Sequence, residues 1–165
     1  GVRSKVAYVT VRSWRKQTKD VQLAAMLAVK RKPSQFALGL ISSEIAAVAK
    51  ELNGPSAYDA VVAVPCGSSG TELCLSVRIA SEVAQQLGIP FVPCLKGKLR
   101  KGSSHPRKNF ELEPYLVKEP VPKRVLLVDD VVTSGLHIEY SVTALRDSGA
   151  NVTAIGWIGP AKSEN

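Results

Sequence analysis

Three short runs dominated by apolar residues, AVVAV at 60–64, RVLLV at 124–128 and NVTAIGWI at 151–158, alternate with segments of helical periodicity. That alternation constrains the fold more than any other feature of the chain. A strand that is apolar throughout needs cover on both faces, which a sheet of parallel strands between layers of helix provides. The expected fold is therefore α/β, a doubly wound, mostly parallel sheet with helices on both faces. Ligands bind such sheets beyond the carboxyl ends of the strands, so the segments after Val64 and Val128 are where a site is expected.

The remaining elements follow from local signals. KVAYVTV at 5–11 alternates and is rich in β-branched residues, which predicts a strand, and DVQLAAMLAVK at 20–30 predicts a helix. Ser34 after Pro33 has the chemistry of an N-cap. Ile41, Ile45, Val48 and Leu52 then recur at helical steps until Asn53-Gly54. A further helical face carries Leu73, Val77, Ala80, Ala84 and Leu87 and stops at Gly88, and IPFVPCL predicts a strand. Residues 96–110, KGKLRKGSSHPRKNF, read as a long basic loop, and a last helix carries Ile138, Val142 and Leu145 before Ser148-Gly149.

A chain of 165 residues supports one domain with a real core, here residues 1–165. The formal net charge of +8 favours anionic partners: nucleic acid, an anionic membrane surface or a small phosphorylated ligand. Cys66, Cys74 and Cys94 are odd in number and contain no CxxC pair, so neither a disulfide framework nor a zinc site is indicated, and a reducing cytoplasm fits. No apolar run approaches the roughly 20 residues that span a bilayer, nor is there a secretory leader, so a membrane is not an expected partner.

Two loops carry chemistry. In DDVVTSGLH, Thr133, Ser134 and Gly135 stand before a helix whose first backbone N–H groups lack internal partners, an arrangement suited to phosphate. Gly135 lets the backbone approach without a Cβ, and the two hydroxyls add donors. Asp129 and Asp130 would lie beside whatever the phosphate is attached to, and the vicinal hydroxyls of a sugar suit two carboxylate acceptors. Read alone, Thr133-Ser134-Gly135 is a helix cap; beside the acid pair it is a binding motif. In PCGSSG at 65–70, Gly67 and Gly70 expose backbone donors while Ser68, Ser69 and Thr71 supply hydroxyls, a second phosphate-type loop. Cys66 lies within it with no histidine placed to activate it, so an incidental cysteine is the better reading.

VLLVDDVVTSG resembles the phosphoribosyl pyrophosphate (PRPP) signature of type I phosphoribosyltransferases, and the segment from RKNF to RVLLVDDVVTSG is most similar to the ComF-type branch. The resemblance covers about residues 57–158, the core of the domain, with an N-terminal strand and helices in 1–56. It implies that Asp129 and Asp130 contact the ribose 2- and 3-hydroxyls and orient Mg²⁺, mostly through water or those hydroxyls. It implies that Val131, Val132, Thr133, Ser134, Gly135 and Leu136 cradle the 5-phosphate. His137 departs from the pattern, since the family often has threonine there; its ring can still donate one hydrogen bond. Pro65, Cys66, Gly67 and Ser68 match the pyrophosphate loop, and Lys96, Lys98, Arg100, Lys101, Arg107 and Lys108 match in position a mobile hood. A solvated surface loop is the plain alternative for those six cations.

The reaction so implied is Mg²⁺-dependent transfer of a 5-phosphoribosyl group from PRPP to a nucleobase-like or other nitrogen acceptor. Breaking the C1 bond builds an oxocarbenium-like centre, so catalysis consists of positioning and leaving-group stabilisation. Some purine-specific members resemble this motif but carry an acid where Thr133 stands; its absence leaves the acceptor open, with Glu111 or Glu113 as substitutes. Arg78 falls on a polar helix face and is expected in solvent. A non-catalytic PRPP-binding regulator or nucleic-acid-associated competence factor is the rival reading. Its only hint is Trp14 among Arg12, Arg15 and Lys16, so nucleic acid is open but not favoured, as is a homodimer undecided by sequence. A phosphorylation receiver is not expected, because its double-aspartate strand comes first and its later strands would have to follow Asp130 within the 35 residues of this sequence that remain.

Overall fold

A computed structural model describes residues 2–3, 6–15, 17, 19–54, 56–65, 74–97, 116–117 and 120–160. The central sheet contains β3 (Val9–Ser13), β8 (Asn151–Gly159), β7 (Arg124–Val131) and β4 (Ala60–Ala63) in that spatial order, with every neighbouring pair parallel. Their carboxyl ends therefore share one edge. A lone parallel bridge from Val61 to Phe91 extends the sheet beyond β4. Two small antiparallel pairs lie outside it, β1 (Val2–Arg3) with β2 (Val6–Ala7) and β5 (Leu95–Lys96) with β6 (Leu116–Val117).

The strands that were expected to be apolar on both faces are buried on both. Val61, Ala63, Leu126, Val128 and Ile155 pack into one cluster with Ile41 and Ile45 of α2 (Gln35–Asn53) and Ile79 and Val83 of α3 (Leu75–Leu87). Val62, Val64, Val125, Leu127, Val152 and Ala154 pack into the other with Ile138, Val142 and Leu145 of α4 (Leu136–Asp147). Alternate residues of one strand thus feed opposite cores. Ile45 and Ile79 are fully excluded from solvent, and cutting either back to alanine costs about 2–5 kcal/mol.

Helix ends follow the sequence signals. Ser34 Oγ accepts from Ala37 N at 3.1 Å, and Gly54 N donates to Lys50 O at 2.8 Å. Gly88 closes α3 in the left-handed region at φ 66°. The buried face of α3 is Leu75, Ser76, Ile79, Ala80, Val83 and Ala84, which leaves Val77, Arg78 and Leu87 half-buried at its margins. Arg78 is thus less exposed than its polar neighbours suggested. Leu73 lies outside the described residues.

Three expectations are corrected. KVAYVTV is not one strand: Tyr8 turns into the core beside Val6 and separates β2 from β3. IPFVPCL makes only the Phe91 bridge before β5, because Pro90 and Pro93 have no N–H to give a ladder. Cys74 is disulfide-bonded, where no disulfide was expected, and Cys94 is a buried cysteine outside that bond. Among the described residues no helix is long and apolar enough to cross a membrane.

Candidate functional site

The site forms where β7 leaves the sheet. The hydrophobic strand does not end at Val128: pairing with β8 continues through Asp129 opposite Gly156 and Val131 opposite Ile158, and Val132 N donates to Ile158 O at 2.8 Å. Both acids therefore belong to the strand rather than to the loop, and the rigid ladder of β7 and β8 fixes their backbones. Gly156 makes this close fit achievable, because a Cβ there would overlap the buried side chain of Val132.

Successive strand residues point to opposite faces. Asp129 continues the Val125–Leu127 row and opens onto a pocket lined by itself and by residues 131–138. Asp130 continues the Leu126–Val128 row toward α1 (Lys19–Arg31), where its Oδ2 meets Lys30 Nζ at 2.9 Å. Both carboxyls are nearly closed off, at 8% and 6% exposure, which decides how easily a solute reaches either. Asp130 N donates to Asp129 Oδ1 at 2.9 Å, and Val131 N to Asp130 Oδ1 at 2.7 Å. Burial pushes the Asp129 carboxyl well above the ordinary range, the neighbouring Asp130 charge adds to the rise, and Lys30 opposes it.

After β7 the chain turns through Thr133, Ser134 and Gly135 into α4. Gly135 is the N-cap residue at φ 75°, a conformation few other residues tolerate, and it brings no side chain to the helix end. Leu136 N donates to Ser134 Oγ at 3.4 Å and Glu139 N to Gly135 O at 2.9 Å. Amide donors and the positive end of the helix thus face the pocket that Asp129 borders. His137 lines it too. Burial lowers the pKa of its imidazole, Asp130 pulls the other way, and Lys30 adds to the lowering.

The structure therefore brings together Asp129, Val131, Val132, Thr133, Ser134, Gly135, Leu136 and His137 in one pocket, with Asp130 behind it. Pro65 follows Val64, whose N donates to Val128 O at 2.8 Å, so the segment after β4 starts at the same sheet edge. Ser76 Oγ, donating to Val64 O at 2.9 Å, ties α3 to that edge. Cys66, Gly67 and Ser68 lie outside the described residues, as do Lys98, Arg100, Lys101, Arg107, Lys108, Glu111 and Glu113; Lys96 is exposed in β5.

Sequence reasoning passed over two residues of this site. Gly156 was signalled by its position inside an apolar strand, where glycine marks a close approach. Lys30 was signalled by its spacing of four from Met26, the buried residue of α1, which sets both on one helix face.

Residues 40–158 match the family model described as phosphoribosyl transferase domain. The orotate phosphoribosyltransferase of Methanospirillum hungatei JF-1 is 32% identical over 107 residues, which are 65% of this chain and 52% of that enzyme. Among solved structures, orotate phosphoribosyltransferase from Aeropyrum pernix superposes with a TM-score of 0.53 at 24% identity, covering 76% of this chain and 61% of that one. The Helicobacter pylori xanthine-guanine-hypoxanthine phosphoribosyltransferase gives 0.52 at 14% identity, covering 80% and 78%. The chain thus spans about half the length of the curated relative and matches both structures in fold.

Proposed function

The chain belongs to the phosphoribosyl transferase domain family, and from that membership we propose that it transfers a 5-phosphoribosyl group from PRPP to a nitrogen acceptor with release of pyrophosphate, acting as a single domain. The observation that carries the reading is the pocket that joins Asp129 to the turn at 131–138 and the start of α4. Its two ends differ in chemistry: amide donors and a helix N-terminus suit a dianionic phosphate, while a buried carboxyl suits sugar hydroxyls.

In this reading the amides and hydroxyls of Val131 to Leu136 hold the 5-phosphate and the His137 ring adds one hydrogen bond. Asp129 and Asp130 orient the 2- and 3-hydroxyls, which fixes C1 relative to the acceptor nitrogen. The bond from C1 to the pyrophosphate oxygen breaks as the bond to nitrogen forms, and the acceptor gives up its proton. The segment that begins at Pro65 receives the pyrophosphate, and Lys96 with the basic residues after it balances its charge.

Among the described residues no group of three or more His, Cys, Asp and Glu side chains comes together to hold a metal. The site still fits Mg²⁺ carried by the substrate, because that ion keeps most of its waters and needs few protein ligands. Asp129 and Asp130 would hold it through water or ribose hydroxyls, and when bound it neutralises charge on the departing pyrophosphate.

The names of the similar enzymes span orotate and purine acceptors, so orotate leads the panel that tests the proposal. The protein is mixed with Mg²⁺, PRPP and orotate, adenine, guanine, hypoxanthine or xanthine, and pyrophosphate release is followed. Turnover with one of them supports the enzyme. Saturable PRPP binding without turnover on any base overturns the transferase reading in favour of a PRPP-binding regulator.

A further inference from the structure

Lys30 has no place in the transfer reaction described above, yet it holds one of the two acids on which that reaction depends. It stands in the last turn of α1, a helix that leaves β3 at the carboxyl edge of the sheet and returns to the tip of β7. The helix is lightly attached. Met26 is its one buried residue, Val29 is half-buried, and Val21, Leu23 and Leu27 are exposed. Gln22 accepts from Arg15 N at 2.9 Å, and Lys30 reaches Asp130 at 2.9 Å.

The geometry at Asp130 leaves little room for another partner. Oδ1 accepts the Val131 amide, Oδ2 accepts Lys30, and 6% of the residue is exposed. A carboxylate has further lone pairs, but a ligand hydroxyl must have a path to them. Lys30, with 40% of its side chain in solvent, is the partner that can move away; the Val131 amide is fixed in the strand. Ligand hydroxyls and the Lys30 ammonium therefore compete for Oδ2.

We propose that Lys30 is a positioning residue of the pentose site, an internal cation that occupies Asp130 until a sugar diol displaces it, so that filling the site releases the end of α1 from β7. The inference rests on the reading of Asp130 as a ribose-hydroxyl acceptor. It adds a coupling between that acid and a helix distant in sequence. A lightly buried helix sits at the low end of local stability, so losing one of its few ties shifts its opening measurably. Coupling energies between sites of this kind correspond to 5- to 150-fold in affinity.

The test uses ribose 5-phosphate, which carries the diol and the phosphate but has no leaving group. Its affinity is measured by calorimetry for the wild-type chain, Lys30→Met and Lys30→Arg, and hydrogen exchange of the α1 amides is followed with and without it. The expected result is binding about tenfold tighter to Lys30→Met, near wild-type affinity for Lys30→Arg, and faster α1 exchange on binding in the wild type but not in Lys30→Met. Equal or weaker binding by Lys30→Met, or α1 exchange unchanged or slowed by the ligand, overturns the role of Lys30 and leaves the pentose site standing. No binding to any of the three overturns the pentose site and this inference with it.

Discussion

Asp129 and Asp130 are adjacent in β7 yet serve opposite faces of the sheet: the first borders the pocket at the start of α4, the second pairs with Lys30 of α1. Two neighbouring acids at the end of a buried strand are tolerated because their charges are handled separately. Asp129 is driven toward its protonated form by burial, whereas Asp130 has an ammonium partner. The acid pair is thus two different groups that a bound sugar would bring into one task.

Neutralising each acid alone should give unequal results. Asp130→Asn removes the partner of Lys30, but that side chain is 40% exposed and can turn to water, so stability falls by only about 1 kcal/mol. Asp129→Asn leaves the fold at least as stable. Asp130→Asn should lose about 10- to 100-fold in PRPP or ribose 5-phosphate affinity, the worth of one charge-assisted contact, and Asp129→Asn about 3- to 10-fold, the worth of a neutral one. Calorimetric titration of both variants checks this, and undiminished affinity in either removes that acid from the site.

The raised Asp129 carboxyl makes a prediction with a definite sign. A folded-state pKa above the unfolded one means that the native protein keeps a proton the unfolded chain has lost. Its contribution is present below about pH 4, where the unfolded carboxyl also holds its proton, and is lost as pH rises toward the native value. Urea unfolding of wild type and Asp129→Asn across that window should show the variant gaining stability relative to wild type with rising pH. A constant difference would contradict the shift.

Glu44 behaves in the reverse sense. Arg12 hydrogen-bonds its carboxylate through Nε at 2.9 Å and through Nη2, Trp157 Nε1 donates at 2.8 Å, and together they hold its pKa below the ordinary value against the opposing effect of partial burial. The contribution is present above the unfolded pKa and lost as pH falls through the native one. Arg12 is 55% exposed, so solvent screening limits the loss in Glu44→Gln at neutral pH to about 1 kcal/mol. That loss should shrink in acid, as chemical denaturation at matched pH values will reveal.

Gly156→Ala tests the support beneath the pocket. The new methyl would meet Val132, which is fully buried and cannot withdraw. Overpacking of this kind costs about 1–3 kcal/mol, and because Val132 begins the turn into Thr133, ligand affinity should fall together with the melting temperature. Replacing Val132 by alanine in the same chain should recover part of both.

The layering was legible in the sequence because AVVAV, RVLLV and NVTAIGWI are apolar on both faces, a pattern few other folds accept. The pocket was legible because Thr133-Ser134-Gly135 precedes a helical face. The separation of Asp129 from Asp130 was not, since it depends on β7 pairing past Val128, which Gly156 in the neighbouring strand β8 permits. The partner of Asp130 was hidden for the same reason: nothing near Lys30 in the sequence says that the end of α1 returns to β7.

The order of strands in the sheet bears on how the protein is made. Among the described residues β3 is an edge strand that pairs in the sheet with β8 alone, with Val9 beside Ile155. On the ribosome β3 and α1 emerge well before β8 and have no sheet to join until it has been synthesised. Pairings so remote in sequence are slow to form, and a nascent chain stalled before β8 would expose the unpaired flank of β7 to other molecules. Assembly of this sheet therefore waits for β8, and the edge left open until then is the surface that chaperones would have to guard.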